Sequence, residues 1–345
     1  MDAITGASAP SFSARVVAWQ RQAGRHDLPW QGGRDPYPIW LSEIMLQQTQ
    51  VSTVLGYFQR FLERFPHVAS LAAAPQEEVL ALWAGLGYYA RARNLHACAI
   101  RVVQEHGGRF PDTAAGLAAL PGIGRSTAAA IAAFAYGERA AILDGNVKRV
   151  LCRHFAVEGV PVGAVEKSLW SLAETLLPAS PEMGAYTQGL MDLGATLCLR
   201  RNPRCGPCPL AATCLARAQG RQDSLPTPKA ARAQPRRQAV FLLLTDGREI
   251  LLQRRPSAGI WGGLLALPEG LDLLPRLGLA DRELLPLAPR EHVFTHFRLE
   301  IQPLLCRVEH LPAFAGEPGL VRLPLEEARQ AGVPAPVARL LDELA

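Results

Sequence analysis

The 345-residue sequence contains no apolar run that approaches the roughly eighteen residues of a membrane span. Its first ten residues, MDAITGASAP, do not follow the charged-then-apolar order of a secretory leader. Self-similar repeats of the solenoid type are also missing. These absences argue against a membrane, secreted or repeat protein. We therefore expect a soluble cytoplasmic protein, associated with the nucleoid if the source is bacterial.

Neither sign of charge dominates the chain. It has 36 Lys and Arg against 31 Asp and Glu, a net charge of +5 and a pI near 8.9. Such a mildly basic chain permits an anionic partner such as nucleic acid without requiring one. Because 49% of the residues are apolar, sizeable cores can form, and the length suits two or three domains.

The composition and the hydrophobic periodicity of the sequence change about two thirds of the way along the chain. Helical periodicity fills residues 11–215, where apolar positions recur at spacings of three and four. Residues 222–237 are rich in proline and basic side chains without periodicity, as is typical of a linker. We therefore predict an all-α domain, a linker and a smaller α+β domain with a hairpin turn at Asp246-Gly247. The predicted strands are 239–244, 250–254 and 297–308.

The seven cysteines fall into two groups. Three lie in apolar surroundings, where we expect buried free thiols: Cys98, Cys152 and Cys306. The other four follow a C-x6-C-x2-C-x5-C pattern, a density that favours metal ligation over disulfides in a chain without a secretory signal. These are Cys198, Cys205, Cys208 and Cys214. Zinc modules usually carry paired C-x2-C knuckles and only one is present, so an iron–sulfur cluster is favoured over zinc or unligated thiols.

The segment Leu120–Thr127, LPGIGRST, places two glycines around one apolar residue immediately before a helix rich in small side chains. The glycines let the backbone approach a ligand closely, and the helix start offers free amides to an anion. A helix–hairpin–helix grips a DNA phosphate in this way without reading sequence. A plain turn between two helices is the alternative.

Two carboxyl groups are candidate catalytic residues, one as a proton donor and the other as an anion. Glu43 is the only charge in the apolar stretch 40–50, and desolvation there would raise its pKa, as a general acid requires. Asp144 stands where the N-cap of a helix belongs, and the helix dipole would hold it ionised. Enzymes use a pair of carboxyl groups, one with a raised pKa and one ionised, to break glycosidic bonds through an oxocarbenium-like transition state. A surface-facing glutamate and a simple capping aspartate are the alternatives.

A base inside a duplex must be flipped out before its glycosidic bond can be reached. The stretch Trp83–Arg93 offers an aromatic and apolar wedge on a glycine turn, beside arginines that suit phosphates. Gln48 lies where the helical pattern is interrupted, so we expect it in an exposed turn. A buried aromatic pair is the alternative interpretation of the wedge.

Together these residues resemble the helix–hairpin–helix DNA glycosylase superfamily with an iron–sulfur loop, and within it the MutY family of adenine glycosylases. The resemblance runs from Leu28 to the C-terminus. It implies a two-lobed all-α glycosylase domain with a [4Fe-4S] loop, followed by a smaller α+β Nudix-like domain. It also implies a monofunctional enzyme that hydrolyses the N-glycosidic bond of adenine opposite 8-oxoguanine, or more weakly opposite G, leaving an abasic site.

The resemblance assigns roles to individual residues. Glu43 would protonate adenine at N7, Asp144 would stabilise or transiently bond the sugar C1′, and Asn146 would assist. The residues expected to contact substrate or DNA are Trp30 and Gln188 in the adenine pocket, Gln48, Leu86 and Tyr88 as wedging residues, Gly122, Ile123, Gly124 and Ser126 in the hairpin, and Arg91 and Lys148.

Endonuclease III is the nearest competitor, because it shares the cysteine spacing and the aspartate. A lysine after its hairpin forms a Schiff base with the sugar, and Ser126 occupies that position here. Efficient strand cleavage is therefore not expected. A lyase for oxidised pyrimidines and a non-catalytic DNA-binding or redox-sensing protein remain the alternatives.

The C-terminal part resembles a Nudix domain through Gly259–Leu264, GIWGGL. The acidic metal-binding helix of a working Nudix hydrolase is missing from residues 269–283, so the resemblance implies a reader of 8-oxoguanine. The residues Phe294, Thr295 and His296 match the Phe-Ser-His loop that inspects this lesion in the family. A strand end without a DNA role is the alternative.

We predict a glycosylase domain over residues 1–221, a linker over 222–237 and a Nudix-like domain over 238–345. Within the first domain, 28–138 would form a six-helix barrel, and 1–27 with 139–221 would form the iron–sulfur module. The expected partner is duplex DNA carrying A:8-oxoguanine or A:G, bound by a monomer. A sliding clamp or an abasic endonuclease is suggested by family resemblance alone.

Overall fold

The structure, a computed structural model, describes residues 10–230, 233–256, 259–312 and 319–344. The sequence expectation about a leader concerns residues that lie almost wholly outside these ranges, as do two residues of the predicted linker. In the described residues, no helix combines the length and the apolar character that crossing a membrane requires. The chain divides into a first unit (1–58, 67–69 and 97–230) and a second unit (59–66, 70–96 and 231–345).

The regular secondary structure of the described residues up to position 230 is helical, as predicted from the periodicity. The helices are α1 (Phe12–Ala23), α2 (Pro36–Leu46), α3 (Val51–Arg64), α4 (Val68–Ala73), α5 (Gln76–Leu82), α6 (Ala90–His106), α7 (Ala114–Ala118), α8 (Arg125–Tyr136), α9 (Gly145–His154), α10 (Ala164–Thr175), α11 (Met183–Asp192) and α12 (Leu215–Ala218). Three more follow in the C-terminal part: α13 (Leu273–Arg276), α14 (Leu325–Gln330) and α15 (Ala335–Asp342).

Small side chains allow close packing at the centre of the first unit. Helix α8 is an alanine-rich segment whose buried residues pack against α2, α7 and α11. It ends at Gly137, whose φ of 71° lies in the left-handed region that glycine adopts without strain. Helices α1 and α11 also approach closely, since a Cβ at Gly189 would lie 2.7 Å from Cγ1 of Val16. The core therefore holds the helices that carry the candidate site in fixed positions.

A mixed sheet forms the C-terminal part of the second unit. Its strands are β1 (Arg236–Thr245), β2 (Glu249–Arg254), β3 (Leu265–Ala266), β4 (Leu285–Pro286), β5 (Arg290–Val293), β6 (Arg298–Arg307) and β7 (Leu320–Pro324). The main path runs β3-β2-β1-β6-β4, with β5 also paired to β6 and β7 to β2. Only β1 and β6 pair in parallel among the described strands, and Leu242, Leu244 and Cys306 lie in the core beside them.

Three predicted strands and the predicted hairpin turn are confirmed in this sheet, and one boundary differs. The predicted strands correspond to β1, β2 and β6, and Asp246-Gly247 turns the chain between β1 and β2. The Asp246 carboxylate accepts hydrogen bonds from the amides of Arg248 and Glu249, and Gly247 has a φ of 88°. Strand β1 begins at Arg236, inside the predicted linker, because that residue pairs with Arg298 of β6. The predicted order of an all-α part followed by an α+β part is confirmed.

Candidate active site and nucleic-acid interface

A cavity of about 400 Å³ opens in the first unit. It is lined by side chains from the segment before α2, from α2 itself and from α11. Three residues that the sequence assigned to the adenine pocket or to catalysis meet here: Trp30, Glu43 and Gln188. The Trp30 ring packs edge-on against Phe58, with the ring centroids 5.2 Å apart. The cavity has the size and mixed lining of a small-ligand site.

Glu43 reaches this cavity from α2. The helix is started by Asp35, whose carboxylate accepts a hydrogen bond from the Tyr37 amide at 2.9 Å, and by a proline in its first turn. Neighbours of Glu43 on the helix, Leu41 and Ile44, are buried. Burial, and to a lesser extent the nearby charge of Asp144, together raise the pKa of Glu43 to about 8. The carboxyl is therefore protonated at neutral pH, as a proton donor must be.

Asp144 is the N-cap of α9, which confirms the expectation from the sequence. Its Oδ1 accepts a hydrogen bond from the Val147 amide at 2.7 Å. Burial raises the pKa of Asp144, while the amides of Val147 and Asn146 and the cations Arg149 and Lys148 lower it. The expected stabilisation of the anion by the helix start is present, but burial outweighs it and the pKa is raised on balance.

Asn146 lies beside Asp144 and is held by a residue that the sequence argument missed. Its Oδ1 accepts a hydrogen bond from Arg149 Nη2 at 2.8 Å. The same guanidinium donates to the carbonyls of Gly194 and Cys198, both at 2.7 Å. A Cβ at Gly194 would lie 2.4 Å from Cβ of Asn146, so glycine is required for this close approach. Arg149 therefore ties the first turn of α9 to the start of the cysteine loop.

The predicted hairpin joins α7 to α8. Gly122 has a φ of 75°, which favours glycine, and Ile123 is buried. Gly124 is the N-cap of α8 and brings no side-chain hydrogen bond to the first turn, so the amides there can receive an anion. Ser126 Oγ accepts a hydrogen bond from the Leu143 amide at 3.0 Å. The hairpin is thereby attached to the residue that immediately precedes Asp144.

Two of the expected DNA-contacting cations have intramolecular partners. Lys148 Nζ forms an ion pair with Glu166 at 2.6 Å. Arg91 is 9% exposed and donates to the carbonyls of Leu86 and Gly87 at 3.2 and 3.1 Å. Its guanidinium also lies over the ring of Trp83 at 5.2 Å, and burial lowers its pKa to about 10. The expectation for Arg91 is corrected: it stabilises the glycine turn and is not presented to a phosphate.

The three expected wedging residues differ in exposure. Gln48 lies in an exposed turn after α2 with a φ of 58°, as predicted for its location. Tyr88 is also exposed, with a φ of 50°, at the end of the glycine turn. Leu86 is 5% exposed, so it is not available as a wedge in the described conformation. Of the two residues in the glycine turn, Tyr88 is therefore the one that can enter a base stack.

The predicted lesion-reading residues form the tip of the hairpin between β5 and β6. The turn is closed by the Phe294 amide, which donates to the Phe297 carbonyl at 2.9 Å. The rings of these two phenylalanines stack with centroids 4.5 Å apart. Thr295 and His296 are both exposed. Gln234 donates to the carbonyls of Phe294 and Thr295, so the tip is held in shape while its side chains face solvent.

The four clustered cysteines line one cavity, between the end of a π-helical turn (Leu193–Leu197) and α12. Burial raises the pKa of the Cys208 thiol, and the other three cysteines lie near enough to shift it in the same direction. Arg153 is 3% exposed and donates to Cys198 Sγ at 3.3 Å and to the Leu199 carbonyl at 2.6 Å. Within the described ranges, no three or more His, Cys, Asp or Glu side chains are grouped so that they could hold a single metal ion. The scattered cysteines are buried and free, as predicted: Cys98, Cys152 and Cys306.

Family models match both parts of the chain. Residues 41–175 match the family described as HhH-GPD superfamily base excision DNA repair protein, and residues 239–343 match the NUDIX domain. The structure of a thermostable thymine-DNA glycosylase is 31% identical and covers 60% of this chain and 95% of its own, with a TM-score of 0.54. An endonuclease III–DNA complex shares this fold at 22% identity over 60% of this chain and 94% of its own, with a TM-score of 0.51. The fold and the site define a DNA N-glycosylase of base excision repair.

Relatives that match both parts of the chain show which family of DNA N-glycosylases it belongs to. The adenine DNA glycosylase of Buchnera aphidicola, subspecies Baizongia pistaciae, is 34% identical over 96% of each chain. The adenine DNA glycosylase of Homo sapiens is 34% identical over 95% of this chain and 72% of its own. The chain belongs to the adenine DNA glycosylase family.

Proposed function

We propose that the enzyme releases adenine mispaired with 8-oxoguanine, and more slowly adenine opposite G, from duplex DNA. The observation that carries this proposal is the Glu43 carboxyl, which lines a base-sized cavity and has a pKa raised to about 8. Asp144 does not line this cavity, but its charge is near enough to contribute to the pKa shift of Glu43, so a second carboxylate is available beside the acid. Full-length adenine glycosylase relatives support adenine as the base.

In the proposed reaction, adenine is flipped into the cavity beside Trp30 and Gln188. Glu43 donates its proton to N7, and the electrons of the N-glycosidic bond pass to the base as the bond breaks. Asp144, as the anion, stabilises the positive charge that develops at C1′, and its position is fixed by the Val147 amide. Water then adds to C1′ and gives up a proton to the Glu43 carboxylate, which restores the acid and leaves an abasic site; Asn146 assists as a neighbour of Asp144.

The hairpin supports a monofunctional enzyme. Ser126 has no amine to attack C1′, and its hydroxyl already accepts a hydrogen bond from the Leu143 amide. A Schiff-base route to strand cleavage therefore lacks its nucleophile at this position. We propose that Gly122, Ile123 and Gly124 present backbone amides to a DNA phosphate.

We propose that Cys198, Cys205, Cys208 and Cys214 hold a [4Fe-4S] cluster. Their thiols line one cavity, and the single C-x2-C pair among them favours an iron–sulfur cluster over zinc. The buried guanidinium of Arg153 suits the negative charge of a thiolate-ligated cluster. When bound, such a cluster would order the loop that carries the four cysteines and would supply no acid, base or nucleophile. The donor set, the cavity and the buried cation all fit the group.

We propose that Phe294, Thr295 and His296 read the base opposite adenine, and that Gln48 and Tyr88 enter the stack. Two of the three hairpin-tip side chains are exposed on a turn of fixed shape, which supports a reading role. The predicted domain boundaries at 1–221, 222–237 and 238–345 belong to the same proposal.

The test is a single-turnover assay on matched duplexes that contain A:8-oxoguanine, A:G or A:T, with abasic sites revealed by hot alkali. We expect release from A:8-oxoguanine to be fastest, release from A:G to be slower and A:T to be untouched. Equal rates on A:8-oxoguanine and A:T would overturn the proposed specificity.

A further inference from the structure

Behind Gln188 lies a carboxylate that does not line the cavity. Asp192 follows Gln188 by four residues on α11 and has no solvent exposure. Its Oδ1 accepts a hydrogen bond from Gln188 Nε2 at 2.8 Å. The same oxygen accepts from Arg25 Nε and pairs with Arg25 Nη2, both at 2.7 Å, and Oδ2 accepts from the Arg25 amide at 2.9 Å. The charge of Asp192 is thus buried, paired and surrounded by donors.

This arrangement fixes which end of the Gln188 amide faces the cavity. The nitrogen and oxygen of a side-chain amide must be assigned from their hydrogen-bond partners. A carboxylate paired with a guanidinium only accepts hydrogen bonds, so the donating Nε2 must point to Asp192. The carbonyl Oε1 is therefore directed away from Asp192. It accepts no hydrogen bond from the residues that the structure describes, and Gln188 lines the cavity.

We infer that Asp192 is a positioning residue that makes Gln188 a hydrogen-bond acceptor and so selects a purine with a donor at position 6. The inference rests on the proposed function, in which adenine occupies this cavity. Adenine carries an amino donor at C6, whereas hypoxanthine and guanine carry an oxygen acceptor there. An acceptor Oε1 matches adenine and opposes a 6-oxopurine, and both bases still offer N7 to Glu43.

The orientation of the Gln188 amide depends on Asp192 accepting hydrogen bonds from all the donors around it. An asparagine at 192 has one oxygen for the donors of Gln188 and Arg25, and its own Nδ2 donates. Gln188 can then turn its amide, offer Oε1 to that Nδ2 and present Nε2 to the cavity. Asp192→Asn conserves volume, so it changes the direction of the hydrogen bonds with little change in packing.

The test compares single-turnover base release from three duplexes that carry adenine, hypoxanthine or unsubstituted purine opposite 8-oxoguanine. Purine has neither donor nor acceptor at position 6, so its rate normalises for the general condition of each variant. In Asp192→Asn we expect the adenine-to-hypoxanthine rate ratio to fall at least about tenfold, the effect of one mismatched buried hydrogen-bond partner. Glu182→Gln is the matched control, because Glu182 forms a 3.5 Å ion pair with Arg21 of α1 and is not a contact of Gln188.

Gln188→Met removes the side-chain amide. If Asp192→Asn does not fold, this variant still tests whether the amide selects adenine over hypoxanthine. It should lower the adenine-to-hypoxanthine ratio by itself, and Asp192→Asn in that background should have no further effect on the ratio. A uniform loss for all three bases, or an unchanged ratio in Gln188→Met, would overturn the inference while the proposed function stands. Failure of the unmodified enzyme to release adenine would instead overturn the proposed function.

Discussion

The raised pKa of Glu43 makes a quantitative prediction about pH. A glutamic acid with its ordinary pKa of 4.5 would be about 0.3% protonated at pH 7, whereas a pKa of about 8 leaves about 90% protonated. Burial on α2 therefore increases the working form of the acid by about 300-fold. Because the protonated form of Glu43 donates to N7, the rate of base release should fall about tenfold per pH unit above about 8; on the acid side it should fall where Asp144, whose pKa burial raises, loses its charge.

The assay is a pH series of single-turnover adenine release under saturating enzyme, which reports the bound complex and not the binding step. Glu43→Gln has the same shape without a transferable proton, so we expect a loss of at least about a hundredfold. Its affinity for the mispaired duplex should be close to that of the unmodified enzyme. Retained turnover in Glu43→Gln, or an alkaline limb with a midpoint near 5, would refute the reasoning.

The same shift has a consequence for stability. Because the native pKa of Glu43 is raised, the native state binds more protons than the unfolded state between about pH 4.5 and 8. This carboxyl therefore lowers the free energy of unfolding as pH rises through that range. Glu43→Gln should be more stable than the unmodified enzyme at pH 8, with little difference at pH 4, in denaturant titrations. Equal stability at both pH values would contradict the assigned burial.

Three further outcomes are expected. Ser126→Lys should introduce strand nicking without alkali, trappable with borohydride, because an amine is placed at the hairpin; no nicking would weaken the argument from the missing lysine. Arg91→Met should slow base release, because the carbonyls of Leu86 and Gly87 lose their donor. It should leave the salt dependence of duplex binding unchanged. If Arg91 contacted a phosphate, its loss would instead reduce the slope of log binding constant against log salt concentration by about one. Thr295→Val removes a hydroxyl at constant volume and should lower the preference for 8-oxoguanine over G opposite adenine, while an unchanged preference would remove Thr295 from lesion reading.

Local chemistry explains what could be predicted from the sequence. Asp144 could be placed as an N-cap because a carboxylate before an apolar-periodic segment has one common position. Gly122 and the turn at Asp246-Gly247 follow from backbone conformations that few residues adopt. The change from helical to alternating periodicity after the linker indicated where the α+β part of the chain begins.

What could not be predicted depends on contacts between distant residues. Arg91 was assigned to phosphate because a sequence does not show which way a guanidinium points, and its partners are carbonyls of the preceding turn. The ion pair of Asp192 with Arg25 joins positions 167 residues apart, so no local pattern indicates it. Lys148 was likewise assigned to DNA without knowledge of Glu166. Even the pKa of Asp144 depends on burial that capping alone does not reveal.

The central claim is hydrolytic release of adenine by two carboxylates without an amine nucleophile. The most direct measurement incubates an A:8-oxoguanine duplex in ¹⁸O-water and analyses the free base and the DNA strand before any alkali is added. We expect free adenine, an intact strand and one labelled oxygen at C1′ of the abasic site. A strand cut before alkali, or release of a base other than adenine, would contradict it.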